Sequence, residues 1–277
     1  MHSFVLRDGR KIDFQQTEIM GIINITKNSF YKESRVSEES LMQRVDQFIQ
    51  EGALILDIGA ESTRPGIDPV DEDTEIENIQ KAVSMIREKY PKVLLSIDTY
   101  RATTAEAAIL AGADIINDIS GLTFDERMAD VVAKYQVPII IMHIKGKPKD
   151  MQNDPHYDDL ITEVEGFFNR QIQLALDHGV QRDKIILDPG IGFGKNYEHN
   201  VSLIKNIDFM KKYQLPILLA VSRKTFIGQR LGGLEPSQRL EGTIAVSCFA
   251  AMKGIEMVRV HDVKENLRAV RVMELFK

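Results

Sequence analysis

Eight short apolar runs, each followed by a segment of helical periodicity, constrain what this chain can fold into more than any other feature. The runs cover residues 19–25, 54–59, 93–98, 115–119, 138–143, 185–188, 216–221 and 257–260. Their apolar residues are nearly continuous rather than alternating, which is the pattern of strands covered on both faces, as in a parallel sheet. Between them Leu41, Val45, Phe48 and Ile49 recur at helical spacing. So do Ile76, Ile79, Val83 and Ile86, and later Ile161, Val164, Phe168, Ile172 and Ala175. Gly52, Gly112, Gly179 and Gly254 stand where a helix gives way to the next run, the place for a left-handed cap.

Eight β-α units with no low-complexity linker predict a single α/β domain over residues 1–277, a (β/α)8 barrel of the TIM type. A doubly wound open sheet is the structural alternative. The length of 277 residues suits a barrel, since these commonly run to about 250 residues. Ahead of the first unit, residues 4–14 alternate apolar and charged types on both sides of Asp8-Gly9, a strong hairpin signal. Residues 1–16 are therefore expected to form a short β-hairpin that caps the barrel.

The formal net charge of −6 and pI near 5.6 disfavour a nucleic-acid or anionic-membrane surface and point to a small-molecule partner. Cys248 is the single cysteine, so no intrachain disulfide forms, and its apolar helical neighbourhood suggests a buried structural thiol. The first residues hold no apolar signal-peptide core, and no run approaches the roughly 20 residues that span a bilayer. A soluble, cytoplasmic protein is expected.

In a (β/α)8 barrel the C-terminal strand ends converge on one face, where their side chains can surround a single ligand. Here the ends carry Asn24, then Glu61-Ser62-Thr63-Arg64-Pro65-Gly66, Asp98, Asn117, His143, Asp188, Ser222-Arg223-Lys224 and Arg259-Val260-His261-Asp262. Any one of these alone reads as a helix cap or turn residue. Together they divide by chemistry. Asp98, Asn117 and Asp188 are planar acceptors or amides, suited to a flat heterocycle with adjacent ring N–H and exocyclic amine. Arg64, Arg223, Lys224, Arg259 and His261 bring the charge and forked donors that a phosphate or carboxylate demands. No His/Cys cluster has metal-ligand spacing, so a tightly held Zn²⁺ is not expected; Asn24 could supply one oxygen to a Mg²⁺ that arrives on substrate phosphates. No G-x-S-x-G elbow or Cys/His pair offers a covalent nucleophile.

The stretch 185–195 passes from an apolar run through Asp188 into three alternating glycines. Closely spaced glycines suggest a phosphate cradle, but the spacing is G-x-G-x-G and no Lys-Ser or Lys-Thr pair follows Gly194. What Asp188 does must then come from its neighbours.

Met20-Gly21-Ile22-Ile23-Asn24-Ile25-Thr26, Ser96-Ile97-Asp98-Thr99-Tyr100, Ile116-Asn117-Asp118-Ile119, Met142-His143 and the Asp188-Pro189-Gly190-Ile191-Gly192-Phe193-Gly194-Lys195 stretch, with the other strand-end motifs above, resemble dihydropteroate synthases. The resemblance runs in order over nearly the whole chain from Glu18. It implies that hydroxymethyl-dihydropterin diphosphate loses diphosphate and that p-aminobenzoate attacks the exposed methylene carbon, in folate biosynthesis. It also implies site roles. Asp188 would grip the pterin edge, with Asp98, Asn117, Lys224 and Met142 around the ring. Asn24, Arg259 and His261 would hold diphosphate and Mg²⁺. Phe30, Thr63, Arg64, Pro65, Phe193 and Thr225 would form the p-aminobenzoate pocket, where sulfonamides act. Family members are usually homodimers through late helices, here including Ile244, Val246, Phe249 and Met252.

The first βα loop departs from the family pattern. Lys27-Asn28-Ser29-Phe30-Tyr31-Lys32-Glu33 replaces a Pro-Asp-Ser-Phe-Ser-Asp-Gly sequence, losing two aspartates and gaining two lysines. Two other functions follow as alternatives: a paralogue that binds pterin with little turnover, and a pterin-dependent methyltransferase. The second should lack the anion set of Ser222-Arg223-Lys224 and Arg259-Val260-His261.

Overall fold

The computed structural model describes residues 2–25, 35–60 and 70–277. Strands β1 (Ser3–Val5) and β2 (Lys11–Asp13) form an antiparallel hairpin around Asp8-Gly9, with Gly9 in the left-handed region at φ +85°. The eight expected runs follow as β3 (Glu18–Asn24), β4 (Ile55–Gly59), β5 (Leu94–Asp98), β6 (Ile115–Asp118), β7 (Ile139–Met142), β8 (Ile185–Asp188), β9 (Leu218–Leu219) and β10 (Met257–Val260). Between and after them lie α1 (Arg35–Glu51), α2 (Glu72–Lys89), α3 (Ala102–Ala111), α4 (Met128–Tyr135), α5 (Leu160–Asp177), α6 (Tyr197–Lys205), α7 (Thr225–Arg230), α8 (Leu240–Met252) and α9 (Val263–Met273).

All eight long-range strands are parallel, in the order β8-β7-β6-β5-β4-β3-β10-β9, and a bridge from Leu187 to Ile217 brings the two edges together. The sheet is a nearly closed barrel, as expected, rather than an open doubly wound sheet. β9 is shorter than the apolar run that contains it. Pro216 has no N–H to give, and that of Ile217 goes to the Glu256 carboxylate at 2.9 Å, so the strand begins only at Leu218.

The two-residue period of the strands sorts their side chains. Ile19, Leu56, Leu95, Ile116, Ile139, Leu187, Leu219 and Val258 meet the helices in the main core, with Phe48 of α1 and Phe168 of α5 buried among them. The opposite parity, Met20, Ile55, Leu94, Ile115, Ile140, Ile186, Leu218 and Met257, packs inside the barrel with Leu6, Ile12 and Phe14. The hairpin therefore closes the N-terminal end with an apolar plug. Helix ends follow sequence signals: Asp71 and Asp159 cap α2 and α5 by accepting from Thr74 and Thr162 N–H groups at 3.0 Å each. The four helix-ending glycines all have positive φ.

Candidate functional site

Above the apolar plug the interior becomes polar. Two residues beyond it, the inward positions are Ile22, Asp57, Ser96, Asn117, Met142, Asp188, Ala220 and Arg259. Strand register then carries Asn24, Gly59, Asp98 and Asn117 across β3, β4, β5 and β6 as one row, and sets Asp188 beside Met142. Parity and register together bring the expected pterin residues to one end of the barrel.

Asn117 is 3% and Asp188 2% exposed, whereas Asn24 at the end of β3 is open to solvent. Desolvation pushes the Asp188 carboxyl up to about 6, against the opposing pull of the Gly190 N–H, Lys224, Arg259 and Lys195. Its Oδ1 accepts that N–H at 2.7 Å. Burial likewise brings the Lys224 ammonium down to about 8, with Asp188 the principal group that resists. Lys224 Nζ donates to the Ile191 carbonyl and lies 4.2 Å from the centroid of the half-buried Phe193 ring. One cation thus joins the carboxylate end of β8 to the aromatic residue of the glycine turn.

Arg259 is held differently from the free anion ligand expected of it. Its Nε donates to Asp57 Oδ2 at 2.6 Å and its Nη2 to Asp98 Oδ2 at 2.7 Å. Burial works against its charge, but Asp57 and Asp98 outweigh burial and keep its pKa above the usual value. Arg223 is further from the expected role, since its Nε and Nη2 form a fork on Asp262 at 2.9 and 2.5 Å, so its forked donors face a carboxylate of the protein. Ser222 Oγ lies 2.8 Å from His261 Nδ1 and accepts the His261 N–H at 3.1 Å, joining the ends of β9 and β10.

His143 leaves the strand-end set. It is buried, with Nδ1 2.8 Å from Lys195 Nζ, and desolvation followed by the nearby Lys195 charge keeps its pKa well below the usual histidine value. Lys195 also donates to the carbonyls of Gly190 and Phe193 at 2.9 Å each, which pins the glycine turn from behind. Gly190 has φ +67°, and a Cβ there would stand 1.8 Å from the His143 carbonyl oxygen, so only glycine fits. Asp118, of opposite parity to Asn117, accepts from the Ser120 and Leu122 N–H groups at 2.8 and 2.7 Å and serves the turn.

Thr225, the first residue of the six-residue α7, is exposed. Met142 is buried with Ile119, Ile144 and Met151, and Phe193 packs on this group. Phe30, Thr63, Arg64, Pro65 and the lysines of the first loop lie outside the described residues. Cys248 is half-buried on α8 rather than fully enclosed, and burial raises its thiol pKa. Among the described residues no three His, Cys, Asp or Glu side chains gather as a metal site, and no helix is long and apolar enough to cross a membrane.

Two residues escaped the sequence reading. Asp57 lies within an apolar run, and a carboxylate there signals a buried partner. Lys195 was visible only as the end of the glycine stretch.

A barrel with a recessed planar acceptor set and cationic side chains at the neighbouring strand ends belongs to the enzymes that bind a flat heterocycle joined to an anion. Comparison narrows that class. Residues 20–261 match the family "Pterin binding enzyme". A dihydropteroate synthase of Synechocystis sp. is 41% identical over 261 residues, 94% of this chain and 90% of its own. A crystal structure of Yersinia pestis dihydropteroate synthase in a sulfonamide drug complex superposes with TM-score 0.91 at 36% identity, covering 99% of this chain and 98% of that one. Xanthomonas albilineans dihydropteroate synthase with 4-aminobenzoic acid gives 0.90 at 34% identity, with coverage of 99% and 98%. The chain belongs to the pterin-binding enzyme family, and its function is that of a dihydropteroate synthase in folate biosynthesis.

Proposed function

We propose that the barrel mouth condenses hydroxymethyl-dihydropterin diphosphate with p-aminobenzoate, giving dihydropteroate and diphosphate. The carrying observation is the electrostatic pairing of a buried carboxylate, Asp188, with the half-buried ammonium of Lys224, beside the buried Asn117 in the polar layer above the apolar plug. Asp188 accepts two parallel hydrogen bonds from the pterin ring N–H and amine, while Asp98, Asn117 and Lys224 bind the rest of the ring and Met142 supplies an apolar contact. The carboxylates of Asp98 and Asp188 lie where positive charge develops on the ring as the C–O bond to diphosphate breaks. That favours a dissociative, carbocation-like path and removes the need for a protein nucleophile. The arylamine nitrogen then attacks the methylene carbon and loses its proton to water or departing diphosphate.

Asn24, Arg259 and His261 bind the leaving diphosphate. Asn24 brings one neutral oxygen, a donor that fits a Mg²⁺ carrying most of its ligands from phosphate and water. Bound Mg²⁺ neutralises leaving-group charge. Phe30, Thr63, Arg64, Pro65, Phe193 and Thr225 form the p-aminobenzoate pocket, consistent with the 4-aminobenzoic acid held by the Xanthomonas albilineans protein. Residues 1–277 act as one cytoplasmic domain. Its homodimer contact is on α8, where Ile244, Val246 and Phe249 are half-buried and Met252 is exposed; sedimentation of Phe249→Glu as a monomer would support that contact, and an unchanged value would remove it.

The deciding assay incubates purified protein with the pterin diphosphate, p-aminobenzoate and Mg²⁺ and follows diphosphate and dihydropteroate together. Equal amounts of both products are expected. Retained pterin binding with no diphosphate release, or diphosphate release in the presence of p-aminobenzoate without dihydropteroate, would overturn the condensation.

A further inference from the structure

Asp57 stands beneath the site, fully buried on β4, and was given no role by the sequence motifs. Its Oδ2 accepts from Arg259 Nε at 2.6 Å and from Asn117 Nδ2 at 3.1 Å. Its Oδ1 has no hydrogen-bond partner among the described residues, and neither has Ser96 Oγ, which sits opposite it in the β4–β5 register. A carboxylate kept only for the fold finds its partners among structural groups, because a buried charge without partners is strongly disfavoured. The bonded partners of Asp57 are instead two site residues on different strands, β6 and β10.

We infer that Asp57 is a positioning residue that fixes which face of the Asn117 amide meets the pterin and anchors Arg259 by Nε. An ionised carboxylate only accepts hydrogen bonds, so it takes the Nδ2 side of Asn117 and leaves Oδ1 as the acceptor for a ligand donor. The same oxygen holds Arg259 by the nitrogen nearest its stem, and the Asp98 contact fixes the rotation of the guanidinium plane. Asp57 thereby selects a ring edge that donates, which distinguishes the pterin from a heterocycle that accepts at the same place. This inference rests on the proposed roles of Asn117 and Arg259.

The test is an exchange of donor and acceptor. Asp57→Asn keeps the shape but presents an amide, which no longer dictates the orientation of Asn117. Loss of a hydrogen bond to a charged group predicts that calorimetric affinity for a pterin lacking diphosphate falls about 10-fold or more, while KM for p-aminobenzoate moves less than about 3-fold. Asn117→Asp alone sets two carboxylates together and should bind pterin poorly. Asp57→Asn combined with Asn117→Asp restores the donor–acceptor pair at position 117 with an acceptor still facing the ring, gives up the acceptance from Arg259 Nε, and should therefore recover part of the lost affinity for a pterin lacking diphosphate. Wild-type pterin affinity in Asp57→Asn, or no recovery in the double variant, would overturn the inference. Should Asp57→Asn fail to fold, judged by its thermal melt, the comparison of Asn117→Asp with the double variant decides alone. Unchanged pterin affinity in Asn117→Ala would show that the site assignment itself had failed, and the role of Asp57 with it.

Discussion

Nε of Arg259 lies 2.6 Å from Oδ2 of Asp57, although 202 positions separate the two residues in the chain. They stand on β10 and β4, the strands on either side of β3, so the contact exists only once both strands have paired with β3. The guanidinium is bracketed by Asp57 and Asp98 and keeps its plane without relying on the ligand.

A lysine in place of Arg259 carries the charge but not the fork that reaches both carboxylates. Arg259→Lys should lower kcat/KM for the pterin diphosphate by about 100-fold, since it loses charge-assisted hydrogen bonds in a half-buried setting. Steady-state diphosphate release checks this, and a value within about 3-fold of the parent would refute the bracketed geometry as functional.

Activity should have a bell-shaped pH dependence. Asp188 must be ionised to accept the ring donors, and its pKa is raised to about 6, so kcat/KM falls as pH drops through that value. Lys224 must be protonated to donate, and its pKa is lowered to about 8, so the alkaline limb falls as pH rises through that value. Asp188→Asn should abolish the acid limb at reduced activity. An acid limb that persists unchanged in that variant belongs to another group.

His261→Ala should impair the steps that depend on diphosphate and spare binding of a pterin without it. The change also removes the Nδ1 partner of Ser222 Oγ at 2.8 Å. Parallel calorimetric titrations with the two ligands measure the split. Equal losses for both would remove His261 from the anion side.

Gly190→Ala tests the close approach of the glycine turn to β7. The added Cβ would lie 1.8 Å from the His143 oxygen at a φ of +67°, so the turn must move. Left-handed strain with overpacking predicts a destabilisation of about 2–4 kcal/mol and weaker pterin binding. Gly232→Ala is the control, because its φ of +84° is similar and nothing lies within 4 Å of the new atom. It should show backbone strain alone, about 1–2 kcal/mol in urea unfolding. Equal losses at both positions would mean that the contact with His143 contributes nothing.

Most of the architecture was legible because it is local. The apolar runs mark all eight barrel strands, Asp8-Gly9 marks the hairpin, and the left-handed glycines mark where helices stop. The start of β9 was not legible because the use of the Ile217 N–H by Glu256 is a contact between distant segments. The acceptor set Asp98, Asn117 and Asp188 was also legible, since strand ends in a parallel barrel share one face.

The chain by itself determined which residues stand at strand ends and which chemistry they carry, because a two-residue strand period and a 3.6-residue helix period are properties of neighbouring residues. Only the tertiary structure decided which charges are already paired. Arg223 turned to Asp262, Arg259 was clasped by Asp57 and Asp98, and Lys195 closed on the carbonyls of the turn that precedes it. Partner choice for a charge taken out of water depends on which groups lose water together, and strand pairing settles that by bringing residues some 200 positions apart within hydrogen-bond reach.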